Sequence, residues 1–122
     1  MIKHIALEVK EKDIKDFYIN ILKGEMKYQF KLDKKDANQI FNIEHPTNVC
    51  YLSFGKFDLE LFVKPNKSEK TFNHICIEIE KAQDIFHEAI KRNYWNYLRK
   101  NDKTETYFIK DNNENLFELK NI

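Results

Sequence analysis

Two histidines and two glutamates stand at matching places in the two halves of this chain. Lys3-His4-Ile5-Ala6-Leu7-Glu8-Val9 returns as Asn73-His74-Ile75-Cys76-Ile77-Glu78-Ile79, and each half closes on a carboxylate between apolar neighbours, Leu59-Glu60-Leu61 and Phe117-Glu118-Leu119. Two imidazoles and two carboxylates form a mixed donor set that suits Zn, Ni, Co, Mn or Fe(II) better than Ca or Mg. Four such ligands also leave positions open for water or substrate oxygens. A metal held this way could bind two adjacent substrate oxygens, polarise a carbonyl and stabilise the enediolate left when a neighbouring carbon loses a proton, with a glutamate as the base. A lone histidine on a strand is more often a surface or hydrogen-bonded residue, and a lone glutamate is more often solvated. Matched placement in two repeats is what singles out His4, Glu60, His74 and Glu118. His45, beside a proline, and His87, on the polar side of a helical stretch, read as structural or solvent-exposed.

Such a quartet needs elements that aim all four side chains one way. Residues 3–9 alternate like a strand, with Ile5, Leu7 and Val9 on one face and His4, Ala6 and Glu8 on the other. Ile14, Phe17, Tyr18, Ile21 and Leu22 then recur at helical spacing, with Asp13 placed to cap the start and Gly24 to end the helix. A strand over 26–32 and a brief helix over 33–41 follow, then a turn at His45-Pro46-Thr47. Strands over 48–54 and 57–64 are joined at Gly55-Lys56. The polar stretch 65–70 breaks both periods and falls where a linker belongs. The order then repeats, with a strand over 73–79, a helix over 82–92, and strands over 94–98, 104–110 and 115–119. The expected fold is therefore α+β: one domain over 1–122, built from a βαβββ module at 1–64, the linker at 65–70 and a second module at 71–122. Its eight strands would form one curved, cup-shaped mixed sheet with helices on the convex side.

Length and charge exclude several other classes. At 122 residues the chain suits a single domain. With 21 Lys+Arg against 20 Asp+Glu there is no strong field pointing to nucleic acid or to an anionic membrane. No apolar run approaches the roughly 20 residues of a membrane helix, and the N-terminal residues lead directly into a strand pattern, so a cytoplasmic protein is expected. Cys50 and Cys76 both lie in apolar strand-like runs and are expected to be buried and unpaired.

The chain resembles the vicinal oxygen chelate superfamily, which includes glyoxalase I, fosfomycin-resistance proteins, methylmalonyl-CoA epimerase and bleomycin-binding proteins. The resemblance runs over nearly the whole chain. It rests on His4, on Phe17-Tyr18 with Ile21-Leu22 and Gly24, on Leu59-Glu60-Leu61-Phe62, on Asn73-His74-Ile75, and on the ending Asp111-Asn112-Asn113-Glu114-Asn115-Leu116-Phe117-Glu118-Leu119. That ending is similar to the family's Asp-Pro-Asp-Gly-Asn-x-Ile-Glu-Leu. Asn112 replaces the turn proline and Glu114 a glycine, with Asn113 left to supply the positive φ. By resemblance to glyoxalase I, His4, Glu60 and His74 are metal ligands, and Glu118 is both a ligand and the catalytic base. The resemblance also implies a homodimer with sites that combine the first module of one chain and the second module of the other.

The substrate is less well specified. Where glutathione-using relatives carry an arginine four residues after the first ligand, this chain has Glu8, which argues against glutathione. The two arginines, Arg92 and Arg99, fall outside the strands expected to line the cup. Candidates for that lining are Glu8, Tyr51, Ser53, Asp58, Phe62, Glu78 and Lys120, a rather acidic set suited to a neutral or cationic small molecule. The leading expectation is a metal-dependent lyase or isomerase acting on an α-oxo or α-hydroxy carbonyl compound, free or as a thiol adduct. A metal-free drug- or metabolite-binding protein of the bleomycin-resistance type is the alternative, followed by a fosfomycin-modifying enzyme. Fosfomycin-resistance proteins use three protein ligands and a basic tail after the last glutamate, and no such tail follows Glu118 here.

Overall fold

In the computed structural model, which describes residues 1–64 and 71–122, the chain divides into two compact units, Met1–Asn66 and Lys67–Ile122. The expected linker at 65–70 lies outside the described residues. The first unit runs β1 (Ile5–Val9), α1 (Glu11–Asp13) continuing into a π-helical stretch over Ile14–Ile19, β2 (Glu25–Leu32), α2 (Lys34–Phe41), β3 (Thr47–Ser53) and β4 (Asp58–Val63). The second runs β5 (His74–Ile79), α3 (Ala82–Lys91), β6 (Asn96–Lys100), β7 (Glu105–Lys110) and β8 (Leu116–Asn121). The α+β class, the duplicated module and all eight expected strands are present, as two mixed sheets of four. The first sheet has the order β1-β4-β3-β2 and the second β5-β8-β7-β6, which is the same topology twice.

In each sheet the opening strand lies parallel to the closing one, with Ala6 opposite Glu60 and Cys76 opposite Glu118. Period-two alternation then sorts the side chains. Leu59 and Leu61 are fully buried while Glu60 points away from them, and Phe117 and Leu119 are fully buried while Glu118 does the same. Each such buried side chain contributes roughly 1.5–3 kcal/mol, so slipping either strand by one residue would bury the carboxylate and expose the core. The core of the first unit also takes Val9, Phe17, Tyr18, Ile21 and Leu52, and that of the second takes Ala82, Phe86, Ala89, Tyr107 and Ile109. The Phe86 ring of α3 packs 5.1 Å from that of Tyr107 in β7.

Several local expectations change. Asp13 does not cap the first helix. The helix starts at Glu11 after Lys10, and Asp13 is buried in its first turn. The left-handed residue that ends the helical segment is Lys23 (φ 65°), not Gly24. Gly24 instead leaves room for its neighbours, since a Cβ there would come within 2.7 Å of the Phe54 ring and 3.0 Å of the Tyr18 carbonyl oxygen. Asp33 does cap α2, its carboxylate accepting from the Asp36 N–H at 2.8 Å. At the Gly55-Lys56 turn only Gly55 has positive φ (91°), and Phe54 N–H donates to the Phe57 carbonyl at 2.9 Å across the connection. In the last turn the positive φ belongs to Glu114 (67°), where the family has glycine, while Asn113 is fully buried. The Asp111 carboxylate holds that turn, accepting from the backbone N–H groups of Asn113 and Asn115 at 2.8 and 2.9 Å.

Candidate metal centre

Each unit brings its own histidine and glutamate together. In the first, His4 Nε2 lies 3.5 Å from Glu60 Oε1; in the second, His74 Nε2 lies 3.3 Å from Glu118 Oε1. Two donors bound to one metal at about 2.0–2.2 Å, with ordinary bond angles, sit roughly 3.0–3.5 Å apart. Each pair therefore already has a chelating separation. Both glutamate side chains are largely covered while both histidines are about a third or more exposed, so the pairs open outward from their sheets. His74 Nδ1 lies 2.9 Å from the Phe72 carbonyl oxygen, which can only accept, so this bond requires a proton on Nδ1 and orients the ring with Nε2 toward Glu118. Metal-ligating histidines are commonly oriented by such a bond. Among the described residues, no three His, Cys, Asp or Glu gather closely enough to hold a metal ion. Each unit thus brings one imidazole and one carboxylate together.

The surroundings of the two pairs differ. On the first sheet Tyr51 lies opposite Glu60, and its ring meets the edge of His4 at 5.5 Å and stacks on Tyr28 at 4.8 Å. Its hydroxyl donates to Asp58 Oδ2 at 2.9 Å. Burial, then this bond and the neighbouring negative charge, push the Tyr51 phenol up to about 12 from 10.0, so it stays a donor at neutral pH. Ser53 lies opposite Asp58, and Phe62 meets Phe41 of α2 edge-on at 5.4 Å. Glu8 pairs with Lys64 at 3.2 Å.

On the second sheet Lys120 Nζ lies 3.3 Å from Glu118 Oε2, and Glu78 lies opposite Lys120. Cys76 corrects an expectation: Cys50 is buried, but Cys76 is exposed, because strand parity puts it on the face of His74 and Glu78 rather than with Ile75 and Ile77. Its thiol is raised by burial and then by the charge of Glu118. Arg99 corrects another. β6 extends to Lys100, so Arg99 lies opposite Thr106 on the face of Phe108, the residue opposite Glu118, and its guanidinium sits 5.4 Å over the Phe108 ring.

Sequence reasoning missed Tyr28, Cys76 and Arg99. Parity counted from His74 would have placed Cys76, and the Tyr28–Phe30 alternation hinted at an aromatic face. Arg99 needed the strand register. Of the other two histidines, His45 and His87 are both exposed, and His45 contributes to a cavity in the first unit.

No family model matches the chain, and no curated protein matches it. Solved structures do. The genomically encoded fosfomycin resistance protein FosX from Listeria monocytogenes matches with a TM-score of 0.76 at 17% identity, covering 100% of this chain and 93% of that one. A mutant of that protein, complexed with Mn(II) and 1S,2S-dihydroxypropylphosphonic acid, matches with a TM-score of 0.76 at 20% identity over 98% of this chain and 90% of that one. A glyoxalase family protein from Enterococcus faecalis matches with a TM-score of 0.73 at 18% identity over 98% and 96%. At these identities the likeness establishes the fold alone, which is that of these fosfomycin resistance and glyoxalase family proteins. No helix among the described residues is long and apolar enough to cross a membrane.

Proposed function

We propose, on the premise of the vicinal oxygen chelate fold, that this chain is a metal-dependent lyase or isomerase acting on a small α-oxo or α-hydroxy carbonyl compound. His4, Glu60, His74 and Glu118 would hold one divalent transition metal, Zn, Ni, Co, Mn or Fe(II). The observation that carries this reading is the pair of His–Glu couples at equivalent register positions, each already at chelating separation. When bound, the metal supplies Lewis-acid polarisation of two adjacent substrate oxygens.

The rest of the chemistry falls to the chain. Glu118 presents Oε1 toward His74 and Oε2 toward Lys120, so one oxygen serves the ligand set while the other is steered by an ammonium. That second oxygen takes the proton from the substrate carbon beside the carbonyl and returns it to the adjacent carbon, which leaves the overall proton balance unchanged. Tyr51, held protonated by burial and by Asp58, walls the His4 side without competing as a base. We further propose a cytoplasmic homodimer in which sites combine modules of two chains.

A fosfomycin-modifying activity is the second reading, favoured by the FosX neighbours and the Mn(II) in one of them. Glu118→Gln tests the principal reading: Gln still offers an oxygen to metal but accepts no proton at neutral pH. We expect turnover of a carbonyl substrate accepted by the wild type to fall at least about 100-fold, with elemental analysis showing the metal retained. Unchanged turnover would remove Glu118 as base. A wild-type protein that binds no metal would favour the metal-free binding protein.

A further inference from the structure

The first unit contains a cavity of about 390 Å³ whose lining includes Ala6 and Phe62, which lie on the sheet face that carries His4 and Glu60. Its apolar lining includes Ala6, Leu32, Ala37, Phe41, Ile43 and Phe62. Ala6 lies opposite Glu60 in the parallel register and Phe62 is two residues along the same strand, so both share the face of the candidate ligand. Ala37 and Phe41, four residues apart on α2, cover the cavity from the other side. The volume falls within the range of about 300–1,000 Å³ typical of small-molecule sites.

The polar residues around the cavity are already engaged. Lys64 Nζ pairs with Glu8 at 3.2 Å, the Thr47 hydroxyl donates to the Val63 carbonyl at 2.6 Å, and His45 Nδ1 lies 3.2 Å from the Pro46 carbonyl oxygen. What the cavity offers a ligand is therefore apolar surface, with two alanines in place of larger side chains keeping it open.

We infer that this cavity receives the apolar substituent of the substrate, an alkyl chain or ring attached to the carbon that carries the vicinal oxygens. The inference rests on the reading of His4 and Glu60 as the oxygen-binding side of the site and adds a substrate class to it: hydroxyketones or oxo compounds with a bulky apolar group rather than the smallest members. A molecule whose oxygens lie at Glu60 has its substituent directed past Ala6 and Phe62 beneath α2.

The test is a binding series with hydroxyacetone and its longer straight-chain homologues, measured by calorimetry on the full-length, metal-loaded protein. Each added methylene buried in the cavity should tighten binding about three- to fourfold, until the cavity is full. Ala6→Phe fills the cavity from an exposed strand position and should flatten this dependence while the unfolding transition stays in place. Phe41→Ala, which removes part of the cover, should also reduce the gain per methylene, and it guards against misfolding of the first variant. Affinity independent of chain length in the wild type, or an undiminished dependence in both variants, would overturn the inference. The double variant His4→Ala with Glu60→Ala separates the two ideas. A surviving chain-length dependence with lost metal binding supports the cavity whatever the metal does; retained metal binding with no chain-length dependence in the wild type sinks the cavity and leaves the metal reading standing.

Discussion

The two units share strand order, register and a His–Glu pair, yet they differ in how the second strand connects to the third. In the first unit that connection carries α2, capped by Asp33 and ended by left-handed Asn42 (φ 58°), and it covers an apolar cavity. In the second, β6 and β7 are joined by a short turn in which the Asn101 side chain accepts from the Thr104 N–H at 3.0 Å and the Thr104 hydroxyl at 2.8 Å. On the first sheet's strands, Tyr51 meets His4 and is backed by Tyr28, and Phe62 follows Glu60 on the same face. The second lies among Cys76, Lys120, Phe108 and Arg99, with polar and charged groups in reach. Strands that must keep register preserve the donors in both copies, because a one-residue slip would invert every side chain. Connections carry no such constraint, and the two halves differ there as well as in the other side chains on the strand faces around each pair.

The core beneath each carboxylate offers the largest test of this equivalence. Leu61→Ala and Leu119→Ala both empty a fully buried position beside a candidate ligand, and each should cost about 2–5 kcal/mol in denaturant unfolding. A cost in one unit below about 1 kcal/mol, well under the usual range for such truncations, would show that the two cores are not equivalent.

Metal affinity gives the next largest effect. His4→Ala and His74→Ala should each weaken binding at least about 100-fold in chelator competition, since deletion of a direct ligand should exceed the usual cost of losing its supporting hydrogen bond. If only one substitution has an effect, one pair is a simple ion pair and the symmetry is broken. Mixing the two variants and allowing subunits to exchange sharpens the comparison further, because recovered binding identifies sites assembled from two chains.

The smallest effect is expected from the tyrosines. The Tyr51 phenol is raised in the folded chain to about 12 from 10.0 by burial first and then by Asp58, and Tyr107 in the second unit is raised by its bond to Glu105 and by burial. A raised folded value favours the protonated form, so this contribution to stability is complete below about pH 10 and declines as pH rises toward 12. Tyr51→Phe should remove part of that alkaline loss, read as a flatter dependence of the unfolding midpoint on pH between those values. An unchanged profile would mean that the Asp58 bond does not distinguish the folded from the unfolded chain.

Much of the fold is legible in the sequence. The helical spacing of Phe17, Tyr18 and Ile21 and the alternation around Glu60 and Glu118 are local signals that repeat in both halves, so the eight strands, and the side of each strand on which the four candidate donors stand, follow from pattern alone. The errors have local explanations too. The apolar neighbours of Cys76 suggest burial while its parity with His74 exposes it, and the sequence signal for β6 fades at Leu98 while the strand runs on to Lys100. The positive φ at Glu114 ran against propensity because the Asp111 carboxylate, bonded to two backbone N–H groups, holds the turn in that shape.

What the sequence determined by itself is therefore which side of each strand a residue occupies and that the pattern occurs twice, since periods of two and 3.6 are properties of neighbouring residues. Tertiary structure alone decided which strands are partners. The pairing of β1 with β4 and of β5 with β8 joins segments distant along the chain, and it is this pairing that sets His4 beside Glu60 and His74 beside Glu118. The Tyr28–Tyr51 stack, Arg99 over Phe108 and the cavity beneath α2 have the same origin. Each depends on long-range register and packing, which no local period encodes.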